Sequence, residues 1–429
     1  MTRERDIVVT GMEAITPAGV GLGALWAAVR DGRAIGGPVS RFDVSRNASR
    51  IAAEIRDFDP VQAGLSPEDV ARTDRATQLA LVAARRALTE AGIDMGREDP
   101  RRVGVCVGTA IGGVGFMERT FARVSAPSAE KPLRVRLRPG ASAPDIYGAF
   151  LALSVSSEIA RAHGFQGPCT TMATGCTAGL DAIGASTDLI AAGMADVMIT
   201  GGVDAPLTPI TFTAFDVIRA LTRRNAEPAR ASRPFDRDRD GFLLAEGCGI
   251  LVIESGEHAR RRGARVHGRV LGYASECNAY HMTGLPADGE ALASTLRRAL
   301  RRARVPIEHV DYINAHGSST QQNDRNETAA FKLTFGERAH AIPISSTKSV
   351  IGHALGAASA IESIVCLLAI NEGVIPPTAN LDNPSADCDL DYVPNTARAA
   401  RLRVVECNAS GFSGIHSAML FGQEAYDVG

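Results

Sequence analysis

Lysine is nearly absent from this chain. Of its 46 Lys plus Arg residues only Lys131, Lys332 and Lys348 are lysines, so almost every cation is an arginine. The bias reads as that of a GC-rich coding sequence and makes each lysine position informative. Net charge is nearly absent too: −2 over 429 residues, with a pI near 6.5, offers no global attraction to nucleic acid or to an acidic membrane surface. The eight cysteines, at 106, 169, 176, 248, 277, 366, 388 and 407, contain no CxxC pair and no metal-ligand spacing. That argues against a disulfide framework or a structural zinc site, and a cytoplasmic, reducing setting is expected. No uninterrupted apolar run approaches the roughly 20 residues of a membrane helix. Met1-Thr-Arg-Glu-Arg-Asp runs directly into Ile7-Val-Val, so no signal peptide is expected.

What the chain does have is alternating α/β material, ample for two domains or two fused halves. Ile7 to Thr10 reads as a buried strand, followed by a Thr16-Pro-Ala-Gly turn and a helix carrying Trp26. Apolar residues at helical spacing predict a helix over 74–91 ending at Gly92, and Val103-Gly-Val-Cys-Val a second buried strand. Lys131, Arg134, Arg136 and Arg138 alternate with apolar residues, the pattern of a solvated strand or of a docking patch for an acidic partner. A helix is expected over 146–163 and a strand from Ala195 to Val203. Asp236, Asp238 and Asp240 imitate a calcium loop, but the intervening arginines and the missing terminal Glu argue against one.

After Glu254 the plan restarts, with strands expected at 266–271 and 310–314 and a helix at 290–303. Gly175-Cys176 leads into a small-residue helix closing at Gly193, and Gly352-His353 into an apolar helix closing at Gly373. This predicts an internal duplication over 1–255 and 256–429, with Cys176 and His353 at matching places.

The chemistry centres on Thr174-Gly-Cys-Thr-Ala-Gly-Leu-Asp-Ala-Ile-Gly. A lone cysteine is usually a small buried hydrophobe. Here it sits among small residues at a predicted helix N-terminus, whose positive end favours the thiolate. His316, in Asn314-Ala-His-Gly-Ser-Ser-Thr, follows a strand in a hydroxyl-rich loop. Ser345-Ser-Thr-Lys348 and Gly352-His353 add a compact cation and a second imidazole. Asn408-Ala-Ser-Gly-Phe412-Ser-Gly is a glycine loop whose amides could line an anion pocket. One Cys and two His at element ends suit acyl-thiol chemistry.

With Arg233-Pro-Phe-Asp, Arg239-Asp-Gly-Phe, Cys277-Asn-Ala-Tyr-His-Met-Thr-Gly-Leu and Pro376-Pro-Thr-Ala-Asn-Leu, these motifs run in order over nearly the whole chain. The chain resembles the β-ketoacyl carrier-protein synthases, and most closely the catalytic α ketosynthase subunit of a type II polyketide synthase. The resemblance implies the α/β thiolase fold, two similar αβαβα halves whose mixed sheets sandwich buried helices. It implies that Cys176, lowered in pKa, takes the acyl chain as a thioester, with the Cys176 and Phe412 amides as oxyanion hole. It implies that His316 and His353, both neutral, stabilise the enolate from malonyl decarboxylation by donating from Nε2. Lys348 would order the histidine site with Glu327 as its carboxylate neighbour, Ser318 and Thr320 would bind the phosphopantetheine arm, and Phe412 would be the gate. The implied partners are an acyl carrier protein and a chain-length factor in a heterodimer. No bound cofactor or metal is implied, because the substrates ride on the carrier's phosphopantetheine.

One departure concerns the gate. The family usually has Gly-Phe-Gly-Gly there, whereas this chain has Gly411-Phe412-Ser413-Gly414, which adds a Cβ where a positive φ is expected. His416 is expected to support that loop. A thiolase would need a second catalytic Cys in a Cys-Gly context, and Cys407 is followed by Asn408. A noncatalytic chain-length factor would lack the active Cys. A fatty-acid synthase of the same family stays open, its best support being Asn408.

Overall fold

The computed structural model describes residues 6–127, 135–137 and 151–426. The basic stretch 131–138 and the first residues of the helix expected over 146–163 fall outside it, apart from Val135–Leu137, a short strand antiparallel to Ser125–Pro127.

The first half runs β1 (Ile7–Thr16), α1 (Arg75–Ala91), β2 (Val103–Gly108), α2 (Ser154–His163), β3 (Cys169–Met172), α3 (Ala178–Ala191), β4 (Val197–Asp204) and β5 (Gly247–Ser255). Its strands lie in the order β1-β5-β4-β2-β3. The first two pairings are antiparallel and the last two parallel. The second half runs β6 (Gly268–Cys277), α4 (Glu290–Ala303), β7 (Val310–Asn314), α5 (Gln321–Phe335), β8 (Ile344–Ser345), α6 (Ala358–Glu372), β9 (Val404–Ser410) and β10 (Ile415–Gly422). Its order is β6-β10-β9-β7-β8, again antiparallel twice and then parallel twice. The same order, the same strand senses and the same helix after each third strand recur. β1 joins the halves by pairing with β6 through Val8 and Val9.

Composition explains which helix goes where. α1 is two-faced: Ala76, Leu79, Ala80, Ala83, Ala87 and Leu88 are buried while Arg85 and Arg86 face water. Asp74 caps its start by accepting the Ala76 N–H, and Gly92, at φ 67°, closes it. α3 and α6 are apolar nearly all round and lie between the two sets of strands, each touching both. Leu355–Glu372 is long and apolar enough to cross a membrane, yet 83% of it is buried in this centre, as suits a core helix.

β1 is longer than its apolar run predicts, because the strand passes through a bulge at Thr10 and Gly11 resumes the pairing, opposite Val252. A Cβ at Gly11 would meet the Ala87 carbonyl at 2.3 Å, so the glycine is demanded by the close approach of α1. The expected match between Cys176 and His353 needs correcting by one turn. Cys176 lies in the 3-10 turn Gly175–Thr177 just before α3, and the equivalent turn before α6 is Leu355–Ala357. The position corresponding to Cys176 is Gly356, and His353 stands three residues earlier.

Candidate active site

The turn that carries Cys176 bends at Gly175, φ 69°. It opens onto a cavity of about 270 Å³, lined also by His316, His353, Phe412, Ser318 and Thr320. The residues singled out from the sequence thus meet in one place, apart from Lys348 and Glu327, which lie behind it. Cys176 is half-buried as a residue, but burial around its sulfur pushes the thiol up to about 12. Lys348 and the Phe412 N–H pull it down, while Asp204 and Glu362 raise it further. The expectation of a lowered thiol is therefore corrected. The helix terminus contributes only about half a charge, and stripping water from a thiolate costs more.

Two rings face each other across this cavity. The His316 and His353 centroids are 5.2 Å apart and nearly perpendicular, and Phe242 meets His353 edge-on at 5.1 Å. Burial first, and the Lys348 cation second, push both imidazoles well below the usual histidine range, so both are neutral. The Leu355 N–H donates to His353 Nδ1 at 3.2 Å, which leaves the proton of the neutral ring on Nε2.

Lys348 is buried and donates to the His316 carbonyl at 2.7 Å, fixing the loop from below. Its ion-pair partner is Glu362 of α6; Glu327, the expected carboxylate neighbour, lies within reach of the Lys348 charge but makes no ion pair with it. Glu327, on α5, accepts the N–H groups of His316 at 2.8 Å and Gly317 at 2.7 Å, and the side-chain amides of Asn323 and Asn408. With that many donors it shapes the histidine loop directly. Burial pushes both carboxyls up to about 7, with Asp324 adding to the effect at Glu327 and Lys348 opposing it at Glu362. Glu362 escaped the motif reading, although a lone acid in the apolar run Ala-Ser-Ala-Ile-Glu-Ser-Ile-Val was a signal for it. Asp204, which accepts the Gly356, Ala110 and Ile111 N–H groups, was missed for want of any motif.

Ser318 and Thr320 hydrogen-bond each other at 2.9 Å on the cavity wall, and Thr320 also caps α5. The loop expected to form the gate is the 3-10 turn Phe412–Gly414 between β9 and β10. Phe412 is 39% exposed, and its ring lies 6.2 Å from Phe215, which stacks edge-on to Phe242. Ser413 is at φ 67°, the positive value its glycine-rich context suggests. Its N–H donates to the Met282 carbonyl at 2.6 Å. His416 contacts Ser410 through Nδ1 at 2.9 Å and Asn278 through Nε2 at 3.3 Å, bracing the loop.

Comparison with known proteins sets this geometry in context. The family model for the N-terminal domain of β-ketoacyl synthases matches residues 4–259, and that for the C-terminal domain matches 267–382. The tetracenomycin polyketide synthase ketoacyl synthase alpha subunit of Streptomyces glaucescens is 47% identical over 425 residues, 99% of each chain. A 3-oxoacyl-(acyl-carrier-protein) synthase 2 of Coxiella burnetii is 38% identical over 422 residues, covering 98% of this chain and 99% of its own. Two solved structures superpose over almost the full length. One is a ketosynthase in complex with a type II polyketide synthase acyl carrier protein and bound to hexaketide, at TM-score 0.90 and 38% identity, covering 98% and 100% of the two chains. The other is the ishigamide ketosynthase/chain length factor, at TM-score 0.88 and 35% identity, covering 99% and 100%.

Proposed function

The chain belongs to the β-ketoacyl synthase family, and from that premise we propose that it is the catalytic ketosynthase of a type II polyketide synthase. It extends a Cys-bound acyl chain by decarboxylative Claisen condensation with malonyl carrier protein. The observation that carries this reading is the convergence of one thiol and two neutral imidazoles on a single cavity.

Cys176 attacks the acyl thioester of the carrier protein. The Cys176 and Phe412 N–H groups hold the developing oxyanion, and the carrier thiol leaves with a proton. Because the resting sulfur is a thiol, its proton departs during attack, and the neutral His316 imidazole of the same cavity is the base at hand, since the Nδ1 of His353 already accepts the Leu355 N–H and its Nε2 carries the ring proton. Malonyl carrier protein then occupies the cavity. His316 and His353 donate to its thioester oxygen while the carboxylate breaks away as carbon dioxide. The enolate carbon attacks the Cys176 thioester, forming the carbon–carbon bond and releasing the sulfur, which regains a proton. A donor is needed at this step, and His353, held neutral with Nε2 protonated, supplies one. Lys348 and Glu327 act one layer back, on the carbonyl and the amides of the His316 loop. Ser318 and Thr320 offer hydroxyls to the phosphopantetheine arm.

The greater identity to the polyketide alpha subunit than to the fatty-acid enzyme favours the polyketide branch. Asn408, the residue that kept the fatty-acid branch open, serves here to hold Glu327. Cys176 and both histidines argue against a noncatalytic chain-length factor. We further propose that the chain works in the cytoplasm as a heterodimer with such a factor, consistent with the short, exposed strand β3, which pairs only with β2 among the described residues and leads to the Cys176 turn. Incubating the chain with a cognate chain-length factor, carrier protein and malonyl units should yield carrier-bound poly-β-keto masses. Full extension by the purified homodimer alone would move the assignment to the fatty-acid branch.

A further inference from the structure

Asp181 is the fifth residue after Cys176 and has no part in the chemistry above. It is buried, 2% exposed, in the first turn of α3. An acid there ordinarily needs no more explanation than the helix dipole. Its hydrogen bonds go well beyond that. Thr174 and Thr177, which flank Cys176, both donate their hydroxyls to Oδ2, Thr177 at 2.8 Å. Tyr273 of β6, at 2.7 Å, and Ser417 of β10 donate theirs to Oδ1. One carboxyl oxygen therefore faces the nucleophile turn, and the other faces two strands of the opposite half.

The position of those strands gives the arrangement its meaning. β10 begins directly after the gate turn, and Ser417 is five residues past Phe412. Just before the gate, the chain lies against the nucleophile turn: a Cβ on Gly411 would be 3.4 Å from the Thr174 carbonyl and 3.6 Å from the Cys176 nitrogen. An oxyanion hole made of the Cys176 and Phe412 amides takes one donor from each half of the molecule, so the halves must be held in register at this point. The Tyr273 ring reaches Asp181 by lying on Gly184, where a Cβ would meet the ring at 2.3 Å.

We propose that Asp181 is a positioning residue for acyl transfer, clamping the Cys176 turn to the strand that follows the gate so that the two oxyanion amides converge on one oxygen. The inference rests on the reading of Cys176 as the acyl-accepting nucleophile. It places Asp181 in the first half-reaction and outside the second, because malonyl decarboxylation is served by His316 and His353, which are held by Lys348, Glu327 and the Leu355 amide.

Asp181→Asn keeps one acceptor oxygen but turns a donor toward hydroxyls that themselves donate. The test compares two rates in the wild type and this variant, each with its chain-length factor present. One is acylation of Cys176 by acyl carrier protein, followed by intact mass, and the other is carbon dioxide release from malonyl carrier protein. We expect the maximal acylation rate to fall about 10- to 100-fold, the scale for small misplacement of reacting groups. KM for the acyl carrier should stay within about twofold and carbon dioxide release within about threefold. Unchanged acylation, or an equal fall in both rates, would overturn the proposal. Should Asp181→Asn fail to fold, Tyr273→Phe and Ser417→Ala each remove one donor from Oδ1 and should produce the same split at about 3- to 10-fold, whereas no split in either would overturn it. Wild-type enzyme that never gains an acyl mass on Cys176 would instead overturn the assignment of the nucleophile.

Discussion

At Cys176 two effects on a thiol oppose each other, and their relative size sets how the enzyme can be probed. Burial wins and holds the sulfur protonated at neutral pH, with its titration pushed up to about 12. Alkylation of Cys176 by iodoacetamide should therefore accelerate about tenfold per pH unit from about pH 7 to about pH 9 without a plateau. A plateau near pH 7 would restore the lowered thiol that the helix terminus alone suggests. Lys348 makes a second case. Lys348→Ala leaves Glu362 buried with no opposite charge, which costs about 3–5 kcal/mol and should appear as a lower denaturant midpoint. Glu362→Gln with Lys348→Met should recover much of it, and Lys348→Ala with no loss of stability would contradict the pairing. At this scale the sequence was informative wherever a residue sits in a motif, as Cys176, His316, His353 and Phe412 do. It was mute where partnership depends on the packing of distant helices, which is why Glu362 of α6 was missed and the hold of Glu327 of α5, a charge neighbour of Lys348, on the His316 and Gly317 amides was not read.

The turn Phe412–Gly414 is the element in which this chain departs from the Gly-Phe-Gly-Gly that the resemblance leads one to expect. Ser413 adopts φ 67°, a left-handed conformation that costs a non-glycine residue about 1–2 kcal/mol. Ser413→Gly should relieve that strain, raise stability by up to about 1 kcal/mol, and leave the Met282 tether in place, because it uses only the backbone N–H. Calorimetric unfolding checks the sign, and a destabilised Ser413→Gly would mean that the Ser side chain makes a contact worth more than the strain. Apolar runs located β1, β2, β4, β6 and β7 of the main sheet, but not all of their ends, and β3, β8, β9 and β10 went unread, the end of β9 at Asn408–Ser410 being taken for part of the glycine loop. The first strand, expected over Ile7 to Thr10, passes through a bulge at Thr10 and runs on to Thr16, and β6 runs on to Cys277, beyond its expected end at 271. A glycine's role depends on what lies against it, at Gly11 the Ala87 carbonyl of α1, and local sequence does not carry that information.

For the whole molecule, the repeated strand order brings α3 and α6 into the centre and sets the Cys176 turn of one half against the histidines of the other. The duplication was legible from two glycine-led helices, but its register was not, because His353 sits one turn away from the position equivalent to Cys176. Burying two neutral imidazoles at this junction couples stability to pH. Their folded pKa values lie well below 6.5, so below that value the unfolded chain binds protons that the native one does not, and stability falls with acid until the folded values are passed. Relative to a His316→Asn variant, wild-type unfolding free energy should therefore drop by about 1.4 kcal/mol per pH unit below about pH 6.5. A constant difference across that range would mean that His316 is charged in the native state.

The central claim, that Cys176 carries the growing chain and the two histidines drive its extension, is tested most directly by intact-mass analysis of both half-reactions in one tube. Wild-type chain and Cys176→Ala, each with a chain-length factor, are given acyl carrier protein and then malonyl carrier protein. The account predicts an acyl mass on the wild-type peptide containing Cys176, and then a carrier-bound β-keto chain two carbons longer with release of carbon dioxide; Cys176→Ala should show neither the acyl mass nor the longer chain. Chain extension by Cys176→Ala, or a wild-type acyl group on any other residue, would contradict it.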